Sequence, residues 1–218
     1  METNQPPWQD TPATSERIVS AIARIAAVLR AGAWQFATAE GLNPTQVDIL
    51  EMLLSRREGV RLSWIAHQLG VTAASSSDSI ASLVAKGLVE KGRASDDGRA
   101  IAVKLTSAGR ALATRISEAM GFASEAVEAL PPAIRQNLYA ALLALIGKLQ
   151  QTDRFPEIRA CLTCKYFAAN AHPEQAARHH CHLVDAPLPG DLLRLDCPEH
   201  VPADSMSTRN NWKEFERN

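Results

Sequence analysis

A chain of 218 residues, 46% hydrophobic and 22% charged, has the make-up of a globular protein of one or two domains. Its formal net charge of −1 excludes a general basic field, so any nucleic-acid site has to be local. The N-terminus lacks the basic start and apolar run of a signal peptide, and the longest apolar stretch, within 138–150, is too short to span a bilayer. A cytoplasmic protein without membrane contact is therefore expected.

Residues 1–14 are polar and proline-bearing and read as a flexible arm. From Ser15, taken as an N-cap, Ile18, Ile22, Ile25, Val28 and Leu29 recur at three- and four-residue steps, predicting a helix to about Glu40 that Gly41 stops. Asn43 as cap and Pro44 in the first position start a second helix, with Val47, Leu50, Leu53 and Leu54 inward. A short helix led by Leu62, with Trp64, Ile65 and Leu69, ends at Gly70, where a left-handed residue is wanted. Thr72 caps the next helix, whose inward residues are Ser76, Ile80, Leu83 and Val84, and Gly87 ends it. Two short helices about a glycine turn form a helix-turn-helix.

Leu88–Lys91 and 100–105 then read as strands, with Ile101, Val103 and Leu105 alternating with Ala100, Ala102 and Lys104. The intervening ASDDG makes them a hairpin, and a helix-turn-helix followed by a hairpin is a winged helix. The helical period returns over Ser107–Met120 and Ala133–Leu149, broken at Pro131-Pro132. Leu138, Leu142, Leu143, Leu145, Ile146 and Leu149 make the last helix too apolar for an exposed surface. With the first helix it predicts a dimer interface. After Gln151 the period disappears. A boundary near Asp153 leaves 15–152 as a DNA-binding and dimerisation domain and 153–218 as a small irregular metal-binding segment. The fold class expected is mainly α with a small β-wing.

The stretch from Asn43 to Ile116 resembles the MarR family of winged-helix transcription regulators, in PTQVDILEMLL, LSWIAHQLGV, LVAKGLVEKG and DDGRAIAVKLTSAGRAL, in that order. The last piece is the most specific: Asp97, Arg99, Leu105, Thr106 and Gly109 match the family's wing and the Leu-Thr-x-x-Gly after it. The resemblance extends over about residues 15–150. It implies a homodimer with intertwined first and last helices, bound to double-stranded DNA at a pseudopalindromic operator. It also implies that Arg99 is a minor-groove wing arginine held by Asp97. Members of the family often bind small aromatic molecules, and Trp34, Phe36 and Trp64 are candidates for such an effector pocket.

Lys86, Lys91, Arg93, Arg99 and Lys104 fall close together in the chain and can neutralise phosphates locally. The recognition helix offers Thr72, Ala73, Ala74, Ser75, Ser77, Asp78 and Ser82. Ser and Thr contact bases or phosphates, Ala touches a thymine methyl, and Asp accepts from cytosine N4. None of them makes the bidentate guanine contact of an arginine. The candidate DNA-binding set is these seven residues with Lys91, Arg93, Asp97 and Arg99.

All four cysteines lie in the last segment, spaced Cys161-x2-Cys164-x16-Cys181-x15-Cys197. Two thiols two residues apart bite one metal from a single turn, and two later ones complete four thiolates. Disulfides or a thiol switch are the alternative. Structural zinc draws on two close pairs, and here there is one, although His179, His180 and His182 around Cys181 allow a set of three cysteines and one histidine. Iron–sulfur clusters combine one Cys-x2-Cys with isolated cysteines and a following proline, as in Cys197-Pro198. The order Cys161, Cys164, Phe167, Cys181, Leu183, Cys197 is similar to high-potential iron–sulfur proteins, with longer later intervals. The reading favours a 4Fe-4S cluster over Zn, with the histidines as hydrogen-bonding neighbours.

A transcriptional regulator is expected, a repressor, responsive to metal or redox state through the four cysteines. One alternative is a repressor governed by a small aromatic ligand, with a structural zinc. A second is an electron-transfer module on a winged-helix scaffold. No Ser/His/Asp order, phosphate loop or carboxylate pair suggests catalysis, and His67 and Asp48 read as ordinary helix residues, so no enzyme is expected.

Overall fold

A computed structural model describes residues 8, 10–56, 58–93, 101–152 and 157–217. Helix α1 (Thr14–Ala39) begins one residue before Ser15, which therefore lies inside the first turn; Ala13 holds the cap position without a side-chain bond. Helix α2 (Pro44–Leu54) starts as expected. Asn43 accepts from the Gln46 backbone N–H, Gln46 accepts in return from that of Asn43, and Pro44 opens the first turn. Helix α3 (Leu62–Leu69) ends at Gly70 with φ of 62°, and Thr72 caps α4 (Ala73–Ala85).

Strands β2 (Val89–Arg93) and β3 (Ile101–Leu105) pair antiparallel, Val89 opposite Leu105 and Arg93 opposite Ile101. A third strand was not evident in the sequence: β1 (Val60–Arg61) joins the other edge of β3, with Val60 opposite Val103. It covers Ala102, which is buried, whereas Ile101 stands half exposed, reversing the expected alternation there. Gly59 lies close enough that a β-carbon would meet that of Ala102 at 2.9 Å, so both faces of β3 are covered at this point. Val84 is also turned outward, because the buried stripe of α4 runs through Ser76, Ile80 and Leu83. These elements enclose one core, built from Val47, Ile49, Leu50 and Leu53 of α2, Ile65, Ile80, Leu83, Val89 and Val103. Leu112, Ala113 and Ile116 of α5 (Ser107–Ala119) close it.

A short α6 (Gly121–Glu128), unforeseen because it buries none of its residues, leads into α7 (Pro132–Gln150). The last segment is more regular than its composition suggested. It holds a three-stranded antiparallel sheet of β4 (Phe167–Ala168), β5 (His179–Cys181) and β6 (Ala186–Leu188), followed by helix α8 (Ser205–Phe215). A second core of Leu143, Leu162, Cys164, Phe167, Leu193 and Trp212 joins this segment to α7. Gly147 permits the join, since a β-carbon there would stand 2.6 Å from the Trp212 ring. Part of the apolar surplus of α7 is thus covered by the chain's own extension.

The rest is uncovered. Ile18, Val19, Ile25 and Val28 on α1, and Ile134, Leu138 and Leu142 on α7, remain at least a third exposed, although α1 packs on the core through Ala33, Phe36 and Ala37. By length and composition alone α1 is apolar enough to cross a membrane, which the sequence reading had not identified.

Candidate functional site

The recognition helix presents a small polar face. Thr72, Ala73, Ala74, Ser75 and Asp78 are exposed and Ser77 is half-buried. Thr72 Oγ1 accepts the Ser75 N–H at 3.1 Å and lies 2.9 Å from Ser75 Oγ, so the cap and the first outward hydroxyl are held together. Ser82 belongs to another environment: its hydroxyl accepts from Gln46 Nε2 of α2 at 2.9 Å, which ties α4 to the core. Ser76 is buried, and its hydroxyl has no hydrogen-bond partner among the described residues.

Around this face, Lys91 and Arg93 are exposed on β2. Lys104 pairs with Glu90 across the hairpin at 3.0 Å, and Lys86 donates to the Gly41 carbonyl, so neither cation is wholly available to a phosphate. Asp97 and Arg99, with the ASDDG turn, lie outside the described residues. Helix α4 contains neither Lys nor Arg. The face can make hydrogen-bonding and van der Waals contact in a groove, with charge supplied from the hairpin beside it.

The Leu-Thr-x-x-Gly motif has a structural cause. Thr106 Oγ1 accepts from the Gly109 N–H at 3.0 Å and donates to the Gly87 carbonyl at 2.7 Å, joining the start of α5 to the end of α4.

The cysteines lie in three places of the extension. Cys161 opens a single 3-10 turn that Cys164 closes, the Cys164 N–H donating to the Cys161 carbonyl at 2.9 Å. Cys181 ends β5, opposite Phe167. Cys197 donates its N–H to the Arg159 carbonyl at 3.0 Å. Burial pushes the Cys161 thiol up, the Arg194 N–H aimed at its sulfur opposes this, and charge on Cys197, Cys164 and Cys181 raises it further. All four are free thiols. Among the described residues, no three His, Cys, Asp or Glu side chains are grouped as a site for a single metal ion.

The histidines have partners of their own. His179 is buried between Phe167 and Phe215, at 5.4 and 5.9 Å between ring centres, and its Nδ1 accepts from the Asn170 N–H at 3.2 Å. His180 contacts His172 at 3.1 Å through Nδ1 and Asp185 at 3.2 Å through Nε2. His182 is exposed, its ring 4.6 Å from that of His180.

Trp34 is exposed, whereas Phe36 and Trp64 pack against the first core. None of the three lines the cavity of about 870 Å³ between α3, α7 and the extension, whose walls include His67, Gln150, His200, Arg209 and Trp212. The sequence also gave no sign of the residues that join the extension to the winged helix: Ser55, Arg56 and Gln68 on one side, Glu157, Arg159 and Asp196 on the other.

A helix-turn-helix with an antiparallel strand pair at its side is a winged-helix fold. Residues 40–100 match the family model of the MarR family, and the fold is that of MarR-family transcriptional regulators. One such regulator, from Silicibacter pomeroyi, is 25% identical, over 59% of this chain and 87% of its own, with a TM-score of 0.53. A MarR transcriptional regulator from Methanosarcina mazei Go1 is 20% identical over 63% of this chain and 99% of its own, at 0.54. CouR from Rhodococcus jostii RHA1, bound to p-coumaroyl-CoA, is 20% identical over 67% of this chain and 98% of its own, at 0.53. No curated protein matches the chain. The family match ends at residue 100, well before the cysteines.

Proposed function

We propose that this protein is a homodimeric DNA-binding transcriptional repressor that reads a pseudopalindromic operator through α4 and the wing. The observation that carries the reading is the outward face of α4. Thr72, Ala73, Ala74, Ser75 and Asp78 are free of the core, while Ser76, Ile80 and Leu83 anchor the helix behind them. The uncovered apolar side chains of α1 and α7 are the expected surface for the second subunit, which sets the half-site spacing. With no arginine on α4, base readout relies on short polar side chains and on the shape of the groove, and Lys91 and Arg93 supply phosphate contacts. Selection of duplexes from a random pool by the purified chain tests this. Enrichment of a pseudopalindrome bound more weakly as salt rises is expected; no enrichment overturns it.

The four cysteines are proposed to hold a 4Fe-4S cluster, with DNA affinity following the state of that site. The donor chemistry supports this: four thiols in one segment, three of which act electrostatically on Cys161, with the Arg194 N–H 3.3 Å from Cys161 Sγ. One close cysteine pair with two isolated cysteines favours a cluster over Zn. Such a cluster supplies one-electron redox chemistry when bound. Anaerobic purification with a visible absorption spectrum and a count of iron, sulfide and zinc decides between them. A colourless protein with zinc overturns the cluster. A small-molecule effector is a second input, supported by CouR, which shares the fold and holds p-coumaroyl-CoA.

A further inference from the structure

Asp196, the residue before Cys197, reaches from the cysteine segment into the winged helix. Its carboxylate accepts a hydrogen bond from Ser55 Oγ at the C-cap of α2. It also lies 3.6 Å from Arg56 Nη2 and 3.8 Å from Arg159 Nη1. Ser55 and Arg56 belong to the loop between α2 and β1. Arg159 belongs to the extension, where it bridges Asp196 along the backbone and its carbonyl accepts from the Cys197 N–H. One carboxylate therefore serves two guanidiniums, one from each side of the boundary.

Arg56 connects this carboxylate to the helix-turn-helix. Its side chain is 14% exposed, and its guanidinium carbon lies 4.5 Å from the ring centre of Trp64 on α3. Arg110 of α5 fixes the same loop, donating to the Leu54 and Arg56 carbonyls at 2.9 and 3.2 Å. A second tie ends on the same helix: Gln68 Nε2 of α3 donates to the Glu157 carbonyl at 3.0 Å. Both connections from the extension thus reach α3, the helix that seats α4.

Burial is the main influence lowering the Arg56 pKa, and Arg159 adds to it, while Asp196 opposes it. The contact is tied to the cysteine segment through the backbone, since Asp196 precedes Cys197 and the Arg159 carbonyl accepts the Cys197 N–H at 3.0 Å.

We propose that Asp196 and Arg56 form a latch that couples the state of the four-cysteine site to the seating of α3, and through α3 to the recognition helix. This rests on the DNA-binding reading above and assigns the route by which its regulation travels. Asp196 acts as a positioning residue.

The test uses the full chain, Asp196→Asn, Cys181→Ser and the double variant, each verified as folded by circular dichroism. Cys181 is chosen because it sits in β5 and makes none of the contacts named for the latch. Each protein is titrated with the duplex selected by the unmodified chain, and amide exchange is followed over Leu62–Ala85. Cys181→Ser is expected to change affinity by about fivefold or more and to alter that exchange. In the Asp196→Asn background the same change is expected to have less than about a twofold effect, the non-additivity of coupled residues. Equal effects in both backgrounds, or none in either, overturn the latch. If the unmodified chain selects no duplex, the DNA reading itself has failed, and the exchange comparison alone decides the latch by the same rule. Ser55→Ala is the second variant should Asp196→Asn not fold: a reduced coupling supports the latch, and an unreduced one overturns it.

Discussion

Gly109 lies directly against the Leu88 carbonyl: a β-carbon at that position would stand 1.8 Å from the oxygen. The glycine of the Leu-Thr-x-x-Gly motif is therefore the condition for α5 to start where the recognition helix hands over to the wing. Gly109→Ala is expected to destabilise the winged helix by about 3 kcal/mol, the upper range for forced overpacking. Urea denaturation measures it. Gly92→Ala, where a β-carbon meets nothing within 4 Å, is the matched control and should fall within about 0.5 kcal/mol.

The seam between α7 and the extension depends on Trp212, which is 3% exposed and packed on Gly147. Trp212→Ala should cost about 3–5 kcal/mol of the stability of the second core. Limited proteolysis is expected to cleave within 157–217 first, leaving the winged helix intact. Simultaneous loss of both parts would show that they unfold as one unit.

In the DNA interface, Lys91→Ala and Arg93→Ala should weaken binding similarly for all sequences. Each is expected to reduce the slope of log affinity against log salt by about 1. Ser75→Ala and Asp78→Ala should instead change which duplexes are preferred. Salt titrations with the selected duplex and with scrambled ones separate the two behaviours.

Glu51 on α2 has a pKa raised by burial first and by the nearby Asp48 charge second. Its folded-state pKa thus lies above its unfolded one, so the folded state binds more protons and stability falls as pH rises through the glutamate range. Glu51→Gln should stabilise the protein at neutral pH, with the gain disappearing as pH drops below that range. Urea midpoints at both pH values provide the measurement, and a gain independent of pH would sink this account.

Several local features were readable because their causes are local. Asn43 with Pro44, Gly70, and Thr72 as a cap are decided by hydrogen bonds and dihedral angles within a few residues, and the structure has them as expected. Val84 and Ile101 were misread because periodicity names an amphipathic face but cannot say how far a neighbour covers it. Strand β1, two residues long, exists only because β3 offers it an edge.

The amino-acid order by itself determined α1 to α5 and α7, the winged-helix class and the gathering of four thiols into one late segment. Those depend on composition, on spacing and on backbone preferences that act over short distances. Only the tertiary structure decided that Leu143 is covered by the extension while Ile18, Val19, Ile25 and Val28 of α1 stay exposed, and that Ser82 serves the core. It alone brought Asp196 to Arg56, across 140 positions of chain, because a contact between distant residues arises from packing two surfaces whose meeting no local pattern encodes.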